Sequence, residues 1–125
     1  MIAASHPLVL VVDDSPNNLS VLNELLRPHY QVLAATTGES ALCVANSVPA
    51  PDLILLDVMM PVMDGYEVLR RLRVNPATEH IPVIFLTALT DASDMERGLK
   101  LGAADYITKP FQPAVLMARV SVQLE

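Results

Sequence analysis

The chain has 125 residues, of which 52% are apolar and 18% are charged, with a net charge of −6. These values fit one domain with a single core, exclude a disordered chain, and argue against a nucleic-acid-binding surface, which needs clustered Lys and Arg. Apolar stretches of about five residues are too short to span a membrane, and the single cysteine, Cys43, cannot form an internal disulfide, so we expect a cytoplasmic protein.

Five short apolar segments recur along the chain, at residues 8–12, 30–35, 53–56, 81–86 and 105–108. Because they are continuously apolar or β-branched, they are typical of parallel strands that are covered on both faces. Helix signals separate them, and helices are predicted to begin near Ser15-Pro16, Gly38, Asp64, Asp91 and Pro113. Five β-α units predict an α/β domain built on a parallel sheet. We expect a leader at residues 1–7, the domain at 8–123, and at 124–125 an end from which the natural chain can continue.

Polar side chains follow four of the five predicted strands. Asp13 and Asp14 follow the first, Asp57 the third, Thr87 the fourth and Lys109 the fifth. Ligands of open parallel sheets bind beyond the carboxyl ends of the strands, so these side chains are predicted to share one rim.

Three carboxylates held close together repel one another unless a cation joins them. Oxygen ligands and few protein groups favour Mg²⁺ over Ca²⁺ or Zn²⁺. Lys109 is suited to a phosphoryl oxygen, and Asp57 is a candidate nucleophile of the aspartyl-phosphate kind. Alternatively, Asp13 and Asp14 are caps of the first helix and Asp57 is a turn residue.

Four stretches together carry a resemblance to a known family: residues 11–15 (VVDDS), 55–65 (LLDVMMPVMDG), 85–88 (FLTA) and 102–111 (GAADYITKPF). The sequence resembles the receiver domain of two-component response regulators from about Leu8 to Val120. The resemblance implies a flavodoxin-like (βα)5 three-layer sandwich, with a five-stranded parallel sheet in the order 2-1-3-4-5. It also implies a cis bond between Lys109 and Pro110.

The resemblance further implies that Asp57 accepts a phosphoryl group from a partner histidine kinase or phosphotransfer protein. Thr87 would bind a phosphoryl oxygen and Lys109 would pair with the phosphoryl group. Mg²⁺, or alternatively Mn²⁺, would be held by Asp14, Asp57 and the backbone carbonyl of Met59, with Asp13 assisting through water. The module would be a signalling switch without direct nucleic-acid or membrane binding, and not an enzyme beyond its intrinsic phosphorylation and dephosphorylation.

By the same resemblance, Thr87 and Tyr106 form the switch, and the fourth helix, fifth strand and fifth helix form the surface that controls an unidentified output. Arg97, Asp105 and Arg119 resemble charges used in a phosphorylation-dependent homodimer of DNA-binding regulators. Val115 stands where that subfamily commonly carries an acid, so we expect the usual set of salt bridges to be incomplete.

Met59 and Leu89 occupy the two positions that flank the path of the hydrolytic water in the family. Both are apolar and cannot orient that water, so we expect slow self-dephosphorylation. Two other classes of protein fit the sequence less well. A Mg²⁺-dependent phosphatase or phosphotransferase usually needs an acid where Met59 stands, and a flavin-binding or pseudo-receiver module usually needs a phosphate loop after the first strand.

Overall fold

The computed structural model describes residues 6–88 and 92–124, in which five strands alternate with five helices. The strands are β1 (Leu8–Val12), β2 (Gln31–Ala35), β3 (Leu53–Asp57), β4 (Val83–Thr87) and β5 (Asp105–Thr108). The helices are α1 (Pro16–Leu26), α2 (Gly38–Ala45), α3 (Gly65–Arg73), α4 (Ala92–Lys100) and α5 (Pro113–Leu124). In the described part of the chain, no helix combines the length and the apolar character needed to cross a membrane.

All strand pairs are parallel, and the strand order is β2-β1-β3-β4-β5, which confirms the predicted fold. β4 begins at Val83, later than the expected start at Ile81. At Ile81 the N–H bonds to the Thr78 carbonyl and the carbonyl accepts from the Arg73 guanidinium at 2.9 Å, and Pro82 has no N–H to donate to a neighbouring strand. β3 extends to Asp57, one residue beyond the predicted end, so its carboxylate lies at the rim of the sheet.

Alternate residues of the central strands enter two separate cores. Val9 and Val11 pack under α1 and α5, whereas Leu10 and Val12 pack on the other face, under α2 and α3. Four strands are covered on both faces, as predicted. The expectation is wrong for β2, of which only Ala35 is buried. β2 lies at one edge of the sheet and β5 at the other, but Tyr106 and Ile107 of β5 are buried, so the edge position alone does not account for the exposure of β2.

Polar caps begin three of the helices. The side chains of Ser15, Thr37 and Asp64 each accept a hydrogen bond from the backbone N–H three residues further on. At Asp64 only half of a capping box is formed, because the Glu67 side chain pairs with Arg70 and Arg71. The predicted start of α4 at Asp91 lies outside the described residues.

Gly102 lies just beyond the end of α4 and has φ +105°, a backbone conformation that favours glycine. The N–H of Ala103 bonds to the Gly98 carbonyl, and the N–H of Gly102 bonds to the Leu99 carbonyl, which is the Schellman pattern. At the same end of the sheet, the Arg73 guanidinium donates to the carbonyls of Glu79, Ile81 and Gly102 at 2.9–3.1 Å. Arg73 therefore ties the end of α3 to the segments that lead into β4 and β5.

Candidate functional site

The ends of four neighbouring strands bring the predicted site residues to one rim of the sheet. Asp57 ends β3 and Thr87 ends β4, while Asp13 and Lys109 each follow directly after a strand. Backbone hydrogen bonds align these ends: the N–H of Lys109 donates to the Thr87 carbonyl at 2.9 Å, and the N–H of Val58 donates to the Leu86 carbonyl at 3.2 Å. The predicted set is therefore assembled by the sheet register itself.

Carboxylate oxygens of Asp13, Asp14 and Asp57 all lie within 4.8 Å of one another. Asp13 and Asp57 are buried, at 0% and 2% exposure, whereas Asp14 is exposed to solvent. The Lys109 ammonium lies 3.1 Å from Asp13 Oδ2 and 3.1 Å from Asp57 Oδ1. Because the cluster has three carboxylates and one ammonium, its net charge is negative. Asp14 is the one of the three acids that is exposed to solvent.

Burial dominates the electrostatics of Asp57. It raises the pKa of this carboxyl from 3.8 to about 6, against the opposing effect of the Lys109 hydrogen bond, and repulsion from Asp13 acts in the same direction as burial. For Lys109, burial acts to lower the pKa, but the hydrogen bonds to Asp57 and Asp13 outweigh it and the net shift is upward. The lysine thus stays cationic while Asp57 is ionised at neutral pH but easily protonated.

Asp13 has two further donors besides Lys109. The Ser15 N–H donates to Asp13 Oδ1 at 2.9 Å, and the Asn18 side-chain amide donates to Asp13 Oδ2 at 3.1 Å. Sequence reasoning missed Asn18, although its place in the first turn of a helix that follows an acidic pair was an available signal. These donors fix the buried carboxylate in one orientation.

The loop after β3 brings the Met59 backbone to the site. Its N–H donates to Asp57 Oδ1 at 3.3 Å, while the Met59 side chain is 64% exposed. Gly65 permits the tight return of the loop, because a Cβ there would lie 2.5 Å from the Asp57 carbonyl oxygen. Val62 has φ +70° and is flanked by a hydrogen bond from the Met63 N–H to the Pro61 carbonyl at 2.8 Å. This is a γ-turn, a strained conformation for a β-branched residue.

The Lys109–Pro110 bond is cis, as the resemblance implies, and the Val48–Pro49 bond is cis as well. Leu89, the second residue predicted to flank the hydrolytic water, lies outside the described residues.

The chemistry of the acidic cluster fits a hard divalent cation. Its ligand atoms are carboxylate oxygens, and the exposure of Asp14 leaves one side open to water and substrate. Mg²⁺ prefers such sites, with few protein ligands and several remaining positions. Asp13, Asp14 and Asp57 are the residues that could hold the ion.

Apart from Thr87, the predicted switch and interface residues are not part of the acidic cluster. Tyr106 is buried at 6% exposure, with its ring centroid 5.5 Å from that of Phe85. Asp105 and Arg119 form an ion pair within the chain at 2.7 Å. Arg97 does not join them, and its guanidinium lies over the Tyr66 ring, 4.2 Å from the ring centroid.

Comparison with known proteins places this arrangement in context. The family model described as the response regulator receiver domain matches residues 9–121. A probable cyclic di-GMP phosphodiesterase of Vibrio cholerae is 44% identical over 97% of the chain, and response regulator PleD of Caulobacter vibrioides is 47% identical over 90%. The chain spans only 27% and 25% of the length of these two relatives.

Solved structures show the same fold. Chemotaxis protein CheY4 of Vibrio cholerae has a TM-score of 0.88 and 31% identity, and the match covers 94% of this chain and 98% of that one. The receiver domain of sensor histidine kinase PA1611 from Pseudomonas aeruginosa has a TM-score of 0.86 and 33% identity, covering 95% of this chain and 98% of that one. That structure has a magnesium ion coordinated in its active site cleft. The family match over nearly the whole chain, together with the shared fold, shows that this chain belongs to the response regulator receiver domains.

Proposed function

We propose that this domain accepts a phosphoryl group on Asp57 from a phosphohistidine of a partner kinase or phosphotransfer protein. The observation that carries the proposal is the contact of one ammonium, Lys109 Nζ, with both Asp13 and Asp57 at 3.1 Å, in a cluster completed by Asp14. Receiver domains accept phosphoryl groups from histidine kinases, and this cluster supplies the acceptor and the charges that such a transfer needs.

In the proposed step, an Asp57 carboxylate oxygen attacks the phosphorus atom. The phosphorus–nitrogen bond of the donor breaks as the new phosphorus–oxygen bond forms, and the imidazole leaves with the electron pair and takes up a proton. Asp13, Asp14, Asp57 and the Met59 carbonyl would hold Mg²⁺, or alternatively Mn²⁺. The bound ion supplies positive charge against the acids and the phosphoryl oxygens.

The remaining residues position the group. Lys109 would transfer one of its contacts from a carboxylate to a phosphoryl oxygen. Thr87, buried at the end of β4, would donate its hydroxyl to a second oxygen. When Thr87 moves toward the phosphoryl group, the Tyr106 ring would turn inward and thereby change the surface formed by α4, β5 and α5. On this proposal the chain acts as a switch rather than as an enzyme with its own substrate.

The test is phosphorylation with acetyl phosphate and Mg²⁺, followed by intact-protein mass spectrometry. We expect a mass gain of one phosphoryl group that is lost on treatment with hydroxylamine and absent in Asp57→Asn. Asp64→Asn is a matched control, because it removes an acid from the loop between β3 and α3 while asparagine retains the helix cap. Modification that persists in Asp57→Asn would reject the assignment.

Dimerisation through Arg97, Asp105 and Arg119 stays a separate hypothesis. Asp105 and Arg119 already pair with each other in the monomer, and Arg97 is engaged with Tyr66. We therefore propose that the domain does not form the salt-bridged dimer of DNA-binding regulators. Light scattering with and without beryllofluoride tests this, and a tight activated dimer that Arg119→Ala dissolves would contradict it.

A further inference from the structure

Three aromatic rings form a continuous layer beneath α3 and α4. Tyr66 of α3, Phe85 of β4 and Tyr106 of β5 are each at most 6% exposed. The centroid of Phe85 lies 5.3 Å from that of Tyr66 and 5.5 Å from that of Tyr106. Phe85 precedes Thr87 by two residues on the same strand, so both side chains point to the same face of the sheet. The aromatic layer therefore begins two residues before Thr87 on the strand that leads to the proposed phosphoryl site.

The two tyrosine hydroxyls converge on a single acceptor. Tyr106 donates to the Asp94 carbonyl at 3.0 Å, and Tyr66 donates to the same oxygen at 3.2 Å. A carbonyl oxygen has two lone pairs, and Asp94 lies within α4, where the helical pattern also directs the Gly98 N–H to this oxygen, so the two hydroxyls share it with a backbone donor. Each hydroxyl consequently binds it less well than it would alone.

The positions of both rings are narrowly defined. A Cβ at residue 98 would lie 1.9 Å from the Tyr106 hydroxyl and 2.9 Å from Phe85, so the inward position of Tyr106 depends on Gly98. Tyr66 is held from outside by Arg97, whose guanidinium lies 4.2 Å from its ring centroid, a distance at which a cation attracts an aromatic face. Tyr66 therefore cannot leave the Asp94 carbonyl without losing this contact.

We propose that Tyr66 regulates the switch, because its hydroxyl competes with that of Tyr106 for the Asp94 carbonyl and so weakens the inward position of Tyr106. This inference rests on the proposed function, in which the inward position accompanies phosphorylation. Tyr66 is a positioning residue that touches neither the phosphoryl group nor the metal. Its competition keeps the inward state from being populated fully before the phosphoryl group arrives, and through Arg97 it links that state to the exposed side of α4.

The test is NMR of protein carrying ¹³C-labelled tyrosine, titrated with beryllofluoride in the presence of Mg²⁺. In Tyr66→Phe the ring and its packing on Phe85 and Arg97 remain, and only the competing hydroxyl is lost. We expect the ratio of inward to outward Tyr106 to rise roughly fivefold, the effect of one ordinary hydrogen bond. By reciprocity, the half-saturating beryllofluoride concentration should fall by up to the same factor. Tyr30→Phe, on the opposite face of the sheet, is the matched control and should change neither quantity.

Gly98→Ala provides the opposite perturbation. Its methyl group would occupy the place of the Tyr106 hydroxyl, so the half-saturating concentration should rise, while thermal melting verifies that both variants are folded. If Gly98→Ala responds and Tyr66→Phe matches wild type, the inference on Tyr66 is wrong and the proposed function stands. If neither variant differs from wild type, Tyr106 is not linked to the site and the inference is likewise overturned. If wild-type protein shows no response to beryllofluoride, the proposed function itself fails and the inference falls with it.

Discussion

Replacing Asp57 by asparagine should stabilise the metal-free domain at neutral pH. Asp57 is 2% exposed, and its pKa is raised from 3.8 to about 6 chiefly by burial. That value already includes the favourable contact with Lys109. The difference corresponds to about 3 kcal/mol of unfavourable free energy for the ionised carboxylate in the folded state. Asparagine keeps the shape and removes the charge, so Asp57→Asn should gain most of this amount, or roughly 10 °C in Tm for a domain of this size.

The gain should depend on pH in a defined direction. Between pH 3.8 and about 6 the folded chain retains a proton on Asp57 that the unfolded chain has lost. The unfolded state then binds fewer protons, so stability falls as the pH rises through this range. The destabilisation caused by the buried carboxylate is therefore absent at pH values below 3.8 and complete at pH values above about 6. The difference in free energy of unfolding between Asp57→Asn and wild type should therefore reach its whole value at pH 7.5 and be under about 1 kcal/mol at pH 4.

The assay is urea unfolding followed by circular dichroism at both pH values, with a chelator present so that no cation compensates the acids. Glu24→Gln serves as a control, because it removes one negative charge from an exposed position of α1 and should leave stability nearly unchanged. Equal stability of Asp57→Asn and wild type at pH 7.5 would show that Lys109 fully offsets the burial of Asp57 and would refute the reasoning.

Three further predictions concern the loop after β3 and the opposite end of the sheet. Val62→Gly should raise the free energy of unfolding by about 1 kcal/mol, because valine is strained at φ +70°. Urea unfolding measures this gain. Val48→Gly, which changes another exposed valine, is the control and should give no such gain. Arg73→Leu should lower the free energy of unfolding by about 2 kcal/mol, because three hydrogen bonds to carbonyls are lost. Arg71→Leu is the control: it breaks only a surface ion pair and should lower the free energy of unfolding by under about 1 kcal/mol. Met59→Asn should shorten the phosphoryl lifetime severalfold, measured as loss of the phosphorylated mass over time, and an unchanged lifetime would contradict the role given to the apolar side chain of Met59 in slow hydrolysis.

The order of elements and the convergence of the acidic residues were predictable, because both follow from short-range patterns. Apolar segments that end in Asp13 and Asp57 indicate strands and identify their carboxyl ends, and parallel pairing then brings those ends together. The exposure of β2 was not predictable from the same rule, since an edge strand and a central strand here share an apolar composition. Composition alone does not reveal on which side a neighbour is missing.

Contacts that depend on side-chain reach were beyond sequence reasoning. Arg73 resembles the other arginines of α3 in the sequence, and only the path of the chain through Gly102 gives it carbonyls to bind. Tyr66 and Tyr106 are 40 positions apart in the sequence, yet both donate to the Asp94 carbonyl. Their approach also requires the space that Gly98 of α4 leaves open. The resemblance supplied Tyr106 as a switch residue, but no pattern within α3 distinguishes Tyr66 from an ordinary core aromatic.

The position of Lys109 has a consequence for the speed of activation. Its ammonium already lies among the acids, at equal distances from two carboxylates, so the site carries its own counter-ion before any substrate arrives. An incoming phosphoryl group would exchange one anionic partner of this lysine for another, so apart from the divalent ion the site need not recruit positive charge from solvent. Little solvent or side-chain reorganisation is then required as negative charge develops, and even a small phosphodonor that makes no contacts elsewhere on the domain should meet a site whose charges are already arranged for it.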